Sequence, residues 1–257
     1  MRIDGRANDE LRKWVITPDF IGQPAGSVLI GCGTTRELCA ASFDAKVPPW
    51  MKAQNVPGGW ITCEYGMLPA ATKERTRREA SAGKQSGRTV EIQRLIGRSL
   101  RMSADLMALG ERTIYIDCDV IEADGGTRCA GISGAAVALA LACRRYAPDA
   151  FRELVAAVSV GVVAGEPMLD LCYEEDSGAD VDFNVVMTES GKFIELQGTA
   201  EEVPFDREQL DKILELAQIG LAPVFEAQNK ILSAYPLPRS NEPFGSLGAA
   251  FSNIKLK

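Results

Sequence analysis

The spacing of apolar and polar residues along the 257-residue chain changes period several times, and each change predicts an element. GSVLIGCG and ELCAASFDA are short apolar runs either side of GTTR, and predict two strands across a turn. WITCEYGML reads as a further strand, and TIYIDCDVIEA alternates as a half-buried strand does. VPPWMKAQNVPGGW carries too much Pro and Gly for a regular element and is expected to be a loop. The opening dozen residues are polar and also read as loop.

From Thr89 the period becomes helical. Ile92, Leu95, Ile96 and Leu106 mark an apolar face, and Arg94, Arg98 and Arg101 fall on another. Thr89 is the expected N-cap, with Glu91 in the first turn. A second helix, over roughly 129–146, is rich in Ala and other small residues, which predicts close packing against a sheet. The stretch VAAVSVGVVAGEPMLDLCYEEDSGADVDFNVVMTESGKFIELQGTA reads as several strands joined by glycine turns. EQLDKILELAQIGLAPVFEAQNKIL predicts a long amphipathic helix. After about Ser233 periodicity stops, and 233–257 is expected to be a flexible extension of a domain spanning 1–232. Strands, helix, strand, helix, strands and helix in that order predict an α+β fold with helices over a mixed sheet.

Composition narrows the chemistry. There is no histidine, which excludes a Ser-His-Asp triad, a Cys-His pair and histidine metal ligands. Catalysis must rest on carboxylates, Lys or Arg, hydroxyls, thiols or an oxygen-held metal. Seven cysteines, an odd number with no CxxC pair, indicate neither a disulfide framework nor a zinc site. They are expected to be buried small hydrophobes. No apolar run approaches the roughly 20 residues a membrane span needs, and the charged start lacks a signal-peptide core. A soluble, cytoplasmic protein with no membrane partner is expected.

Net charge is −7, yet the charge is unevenly placed. Lys73, Arg75, Arg77, Arg78, Lys84, Arg88, Arg94, Arg98 and Arg101 are opposed in their window only by Glu74, Glu79 and Glu91, a local balance of +6. Such a window is either a solvated face or a surface for backbone phosphates. Trp60 and Tyr65, just upstream, could stack bases or pack in the core.

Three motifs could carry chemistry. DGGTR (124–128) places two glycines, a hydroxyl and an arginine at a helix start, with Thr127 as expected N-cap. It suits either a plain strand-to-helix turn or an anion site of free N–H groups and a forked cation. SGRTVEIQR repeats the arrangement, so Arg88 and Arg128 could converge on one phosphate if the two helices lie side by side. EEDSGADVDFN (174–184) packs five carboxylates into nine residues with no base among them. It is either an acidic turn or a Mg²⁺ site built on Asp176 and Asp182. Cys129 adjoins Arg128, but no general base accompanies it, and it is read as structural.

These motifs sit in longer blocks: DGRANDELR, GWITCEYGMLP, GKQSGRTVEIQRLIGRSLR, IDCDVIEADGGTRCAGISGA, VAAVSVGVVAGE, LDLCYEEDSGADVDFNVVMT and LQGTAEEVPF. In these blocks, over residues 2 to about 232, the chain resembles the ribonuclease PH family of phosphate-dependent 3′-exoribonucleases (tRNA nucleotidyltransferases). The resemblance implies a ribosomal protein S5 domain 2-like fold, with two βαβα-type halves and helices packed on mixed sheets. It implies a hexamer, a trimer of dimers. It implies phosphorolytic trimming of tRNA precursor 3′ ends, with inorganic phosphate as co-substrate and Mg²⁺ or Mn²⁺ as cofactor. Carried over residue by residue, Arg88, Gly126, Thr127 and Arg128 would hold phosphate. Asp176 and Asp182 would serve catalysis and metal. Arg75 and Arg78 would bind RNA, with Lys73 and Arg77 as additional basic positions. Two other readings are a non-catalytic RNA-binding ring subunit of an exosome-like assembly, and a purely structural oligomer whose basic stripe makes subunit contacts.

Overall fold

The computed structural model describes residues 2–201 and 203–235. Two sheets enclose one central helix. The first has strand order β1-β2-β3-β5-β4, built from Trp14–Pro18, Gly26–Cys32, Thr35–Asp44, Trp60–Met67 (β4) and Thr113–Glu122 (β5). It is mixed: β4 runs parallel to β5 and every other pair is antiparallel. The second has order β7-β6-β8-β9, from Val155–Val163, Glu166–Leu169, Val181–Thr188 and Phe193–Ala200, all antiparallel.

The chain-order helices are α1 (Pro49–Ala53), α2 (Glu79–Ala82), α3 (Gly87–Met102), α4 (Leu106–Leu109), α5 (Thr127–Tyr146), α6 (Tyr173–Asp176) and α7 (Arg207–Ser233). Helix α5 lies between the sheets, touching β2 and β3 on one side and β6 on the other. Thr127 and everything from Cys129 to Cys143 are buried. That explains its composition: a helix covered all round needs small side chains, not an amphipathic stripe. Helix α3 packs on β4 and on α5, and α7 crosses β6 and β7. The buried Gln228 of α7 donates to Ser133 O of α5 and Val155 O of β6, locking three elements at one amide.

Several boundaries differ from the pattern-based reading. Helix α3 starts three residues early, because Ser86 rather than Thr89 is its cap: Ser86 Oγ accepts from Thr89 N. Leu106 belongs to the separate turn α4, capped by Asp105. Helix α5 is capped by Gly126 in the left-handed region, so Thr127 is its first helical residue. The Pro-rich loop carries the short helix α1, begun by Pro49 at a position where a missing N–H costs nothing. Strand β1 has too short a period to stand out and is recruited by pairing with β2. The expected boundary at 232 lies in the last turn of α7. The expected extension lies, from residue 236 on, outside the described residues.

Candidate active site

DGGTR joins β5 to α5, and its two glycines are forced by sterics. Gly125 has φ +72° and Gly126 φ +66°. A Cβ on Gly125 would sit 2.6 Å from Leu171 O and 2.9 Å from Tyr173 N, so the 171–173 backbone occupies its place. A Cβ on Gly126 would lie 2.8 Å from the Arg12 guanidinium. The side-chain space freed by these glycines is thus filled by protein. What the turn offers a ligand is the start of α5, whose cap supplies no side-chain acceptor to its first N–H groups. Gly125→Ala is expected to cost on the order of 2–4 kcal/mol in denaturant unfolding. Gly87→Ala, whose Cβ meets nothing within 4 Å, should stay within about 0.5 kcal/mol.

The turn is clamped from outside. Thr35 Oγ1 donates to Gly125 O at 2.8 Å and accepts from Asp124 N at 2.9 Å. Thr34 Oγ1 donates to an Asp124 carboxylate oxygen at 2.8 Å, and Tyr173 N donates to the other at 3.2 Å. Tyr65 OH donates to Thr127 Oγ1 at 3.0 Å. Tyr65 is therefore buried structure, and Trp60 packs edge-on against Trp50 under the Arg101 guanidinium. Neither is an open stacking platform.

The polar N-terminal segment is irregular, as expected, yet it buries two arginines. Arg2 donates to both oxygens of Glu175, at 2.8 and 2.6 Å, and to the carbonyls of Leu169 and Asp170. The Arg12 guanidinium holds Asp170 at 2.6 Å and donates to Asp124 O. Both Glu175 and Asp170 keep their carboxyls below the usual range, because these pairs outweigh the cost of burial. The acidic motif is accordingly not uncompensated: Glu175 is neutralised by Arg2, and exposed Glu174 by Lys73 at 3.0 Å. Polar periodicity alone does not show that Arg2 and Arg12 are interior.

Asp176 ends α6 and Asp182 lies on β8. Both carboxyls are pushed up, Asp182 to about 6, by burial and then by the charge of Asp176; burial is also the main cause at Asp176. The charges of Arg88 and Arg128 bear on both aspartates and pull in the opposite direction. The fold thus sets Arg88 and Arg128 close enough to Asp176 and Asp182 for their charges to act on both carboxyls. Asp182 Oδ1 is buried with no partner among the described residues. An orphaned carboxylate oxygen under the charge of a second carboxylate fits a hard divalent cation.

Two further residues shape the site. Arg128 donates to Gln197 Oε1 and to Glu91 Oε1, the latter at 3.4 Å. Gln197 Nε2 donates to the same Glu91 oxygen at 2.8 Å. Glu91, read as a first-turn helix residue, and Gln197 of β9 therefore fix the guanidinium plane. Arg88 is exposed at the start of α3. Cys129 is buried against Asn184 Oδ1 at 3.3 Å and its thiol is pushed well up by burial, which suits a structural role. Lys73, Arg75, Arg77 and Arg78 are all exposed on the segment between β4 and α3. Lys73 ties that segment to α6, and Arg77 donates to Ser81 O at 3.0 Å.

Known proteins resemble this chain in sequence and in fold. The description "3′ exoribonuclease family, domain 1" matches residues 10–144, and "3′ exoribonuclease family, domain 2" matches 153–220. A ribonuclease PH from Neisseria meningitidis serogroup C is 58% identical over 235 residues, 89% of this chain and 96% of the relative. Its counterpart from Neisseria gonorrhoeae is 56% identical with the same coverage. Rice Rrp46 superposes with TM-score 0.76 at 19% identity, over 90% of this chain and all of that one. The Archaeoglobus fulgidus exosome solved with RNA bound to the active site gives TM-score 0.72 at 22% identity, over 91% and 92% of the two chains. These structures share the α+β, ribosomal protein S5 domain 2-like fold. Two halves matched in order, and ribonuclease PH relatives matched almost end to end, place the chain in the 3′ exoribonuclease family, as a phosphorolytic exoribonuclease of the ribonuclease PH type.

Proposed function

We propose that this protein trims tRNA precursor 3′ ends by phosphorolysis at the site where α3, α5, α6 and β8 meet. The observation that supports the reading is that the charges of Arg88 and Arg128 act on both Asp176 and Asp182. Arg88, Arg128 and the N–H groups at Gly126 and Thr127 hold inorganic phosphate. A phosphate oxygen attacks the terminal phosphodiester phosphorus, the 3′-oxygen of the preceding nucleotide leaves, and a nucleoside 5′-diphosphate departs. The exchange is near thermoneutral, so excess diphosphate drives it backward.

Asp176 and Asp182 would hold a divalent cation, Mg²⁺ or Mn²⁺, which supplies positive charge beside the reacting phosphoryl group. The chain's own contribution is position and preset charge. Glu91 and Gln197 keep the Arg128 fork oriented before substrate arrives, so little reorganisation accompanies reaction. This chemistry requires no strong base, which agrees with a chain lacking histidine.

The deciding experiment incubates purified protein with a 3′-extended tRNA, with and without phosphate. Nucleoside diphosphate release that requires phosphate is expected. Monophosphate release, or indifference to phosphate, would refute the mechanism. An inert protein that still binds RNA would instead support the non-catalytic ring subunit.

The exposed basic segment supplies RNA contacts. Arg75→Ala and Arg78→Ala are each expected to weaken single-stranded RNA binding and reduce the salt-dependence slope by about 0.7. Ring assembly, as a hexamer built from three dimers, should persist in sizing with light scattering. Ring loss at unchanged RNA affinity would assign the segment to subunit contacts instead.

A further inference from the structure

A second cluster of potential ligands lies in the core, outside the site above. Cys39 on β3 and Cys118 on β5 are cross-strand neighbours. Their sulfurs are 3.8 Å apart. Cys63 on β4 adds a third sulfur 4.0 Å from Cys118. Glu37 stands two residues before Cys39, on the same buried face of β3. Its carboxylate lies, with the Cys39 and Cys118 sulfurs, in a group whose ligand atoms are all within 4.8 Å of one another.

Glu37 is the anomaly. It is 0% exposed, and neither carboxylate oxygen has a hydrogen-bond partner among the described residues. The charges that act on it, from Cys118 and Asp119, have its own sign. A buried carboxylate so placed is costly whether ionised or neutral. A disulfide does not resolve this. The sulfurs are far beyond the roughly 2.05 Å of an S–S bond, and joining any two would leave Glu37 uncompensated.

We propose that Glu37, Cys39, Cys63 and Cys118 bind a tetrahedral zinc-class divalent cation in the core of the first sheet. Two thiolates at about 2.3 Å from one tetrahedral zinc lie roughly 3.8 Å apart, which is the Cys39–Cys118 spacing. Glu37, Cys39 and Cys118 form the preset part of the site, and Cys63, whose sulfur lies 4.0 Å from Cys118 but outside that group of three, turns in to complete the tetrahedron. One carboxylate and three thiolates carry the same charge as the Cys₄ set of structural zinc sites. Each thiol gives up its proton to solvent on binding, and the ion pairs the otherwise orphaned Glu37. All four side chains are buried, so the ion is taken up as the chain folds. It would brace β3, β4 and β5 directly behind Tyr65, whose hydroxyl holds Thr127 of the anion turn.

The test uses the full chain without a metal-binding tag, made in zinc-replete cells and passed through EDTA to strip exchangeable ions. Elemental analysis should find about one zinc per chain. Glu37→Gln and Cys63→Ala should each lower retained zinc at least about tenfold. Should either variant fail to fold, wild type refolded with cobalt(II) in place of zinc provides a second readout. Thiolate-to-cobalt charge-transfer absorption with tetrahedral d–d bands is expected. Wild type that retains no stoichiometric metal overturns the proposal, as does zinc content unchanged in both folded variants, or cobalt protein without thiolate bands.

Discussion

Arg128→Ala is expected to lower phosphorolytic turnover by about 10²–10³-fold. The guanidinium is only 13% exposed and sits at the first turn of α5, held by Gln197 and Glu91. Its orientation is thus set before phosphate arrives, and its loss removes both a cation and two aligned donors. The apparent KM for phosphate should rise as turnover falls, because in the proposed site the side chain contacts phosphate in the ground state as well. Arg128→Lys restores charge without the fork and should remain at least about tenfold impaired. Gln197→Ala leaves Arg128 in place but free to swing. It should raise KM for phosphate more than it lowers kcat, as befits a positioning residue. Circular dichroism should show all three variants folded. Steady-state kinetics with phosphate as the varied substrate checks the set, and an Arg128→Ala enzyme keeping more than a tenth of wild-type turnover would remove Arg128 from the phosphate site.

Asp182→Asn is expected to abolish metal-dependent turnover while stabilising the metal-free protein. Burial, then the neighbouring Asp176 charge, pushes the Asp182 carboxyl up to about 6 from an ordinary 3.8. A raised carboxyl means that the folded state binds the proton more tightly than the unfolded state does. Stability therefore falls as pH rises from about 4 to about 6, and the full penalty persists above that window. Asparagine removes it. Without divalent cation, the variant should be more stable than wild type by about 1–3 kcal/mol at pH 7–8, with the gap closing toward pH 4. Denaturant melts across that range in EDTA test the sign directly. Mg²⁺ should raise the melting temperature of wild type and leave the variant unmoved. Proton and cation compete for one carboxylate, so Mg²⁺ affinity should weaken as pH drops below about 6.

The site is only partly local in sequence. DGGTR is readable as a turn before a helix because Gly-Gly and the following small-residue run are contiguous. The reason for its glycines is not local. Leu171–Tyr173 and Arg12 fill the space where their Cβ atoms would be, and those residues lie far away along the chain. Likewise the acidic motif looks uncompensated until Arg2 and Lys73 reach it from other segments. Asp176 and Asp182 are separated by a few residues, but their unusual carboxyls arise from burial and, at Asp182, from the charge of Asp176, which no spacing encodes. The cysteines show the same limit. Spacing suited to a metal site is absent, yet Cys39, Cys63 and Cys118 come from three strands that register side by side.

The sequence by itself determined the α+β order of elements, the burial of the small-residue helix, the exclusion of histidine chemistry and, through its long matching blocks, the family. Those follow from nearest-neighbour periodicity and residue identity. Only the tertiary structure decided that Ser86 and Gly126 cap helices α3 and α5, that Glu91 and Gln197 hold Arg128, that buried Arg2 pairs with Glu175 of the acidic motif, and that buried Arg12 ties Asp170 to the glycine turn. It alone also left Glu37 without a hydrogen-bond partner among the described residues, beside the Cys39 and Cys118 sulfurs. The physical reason is common to all of these. Caps, ion pairs and pKa shifts depend on which groups lose water together, and that is fixed by packing of segments distant in the chain.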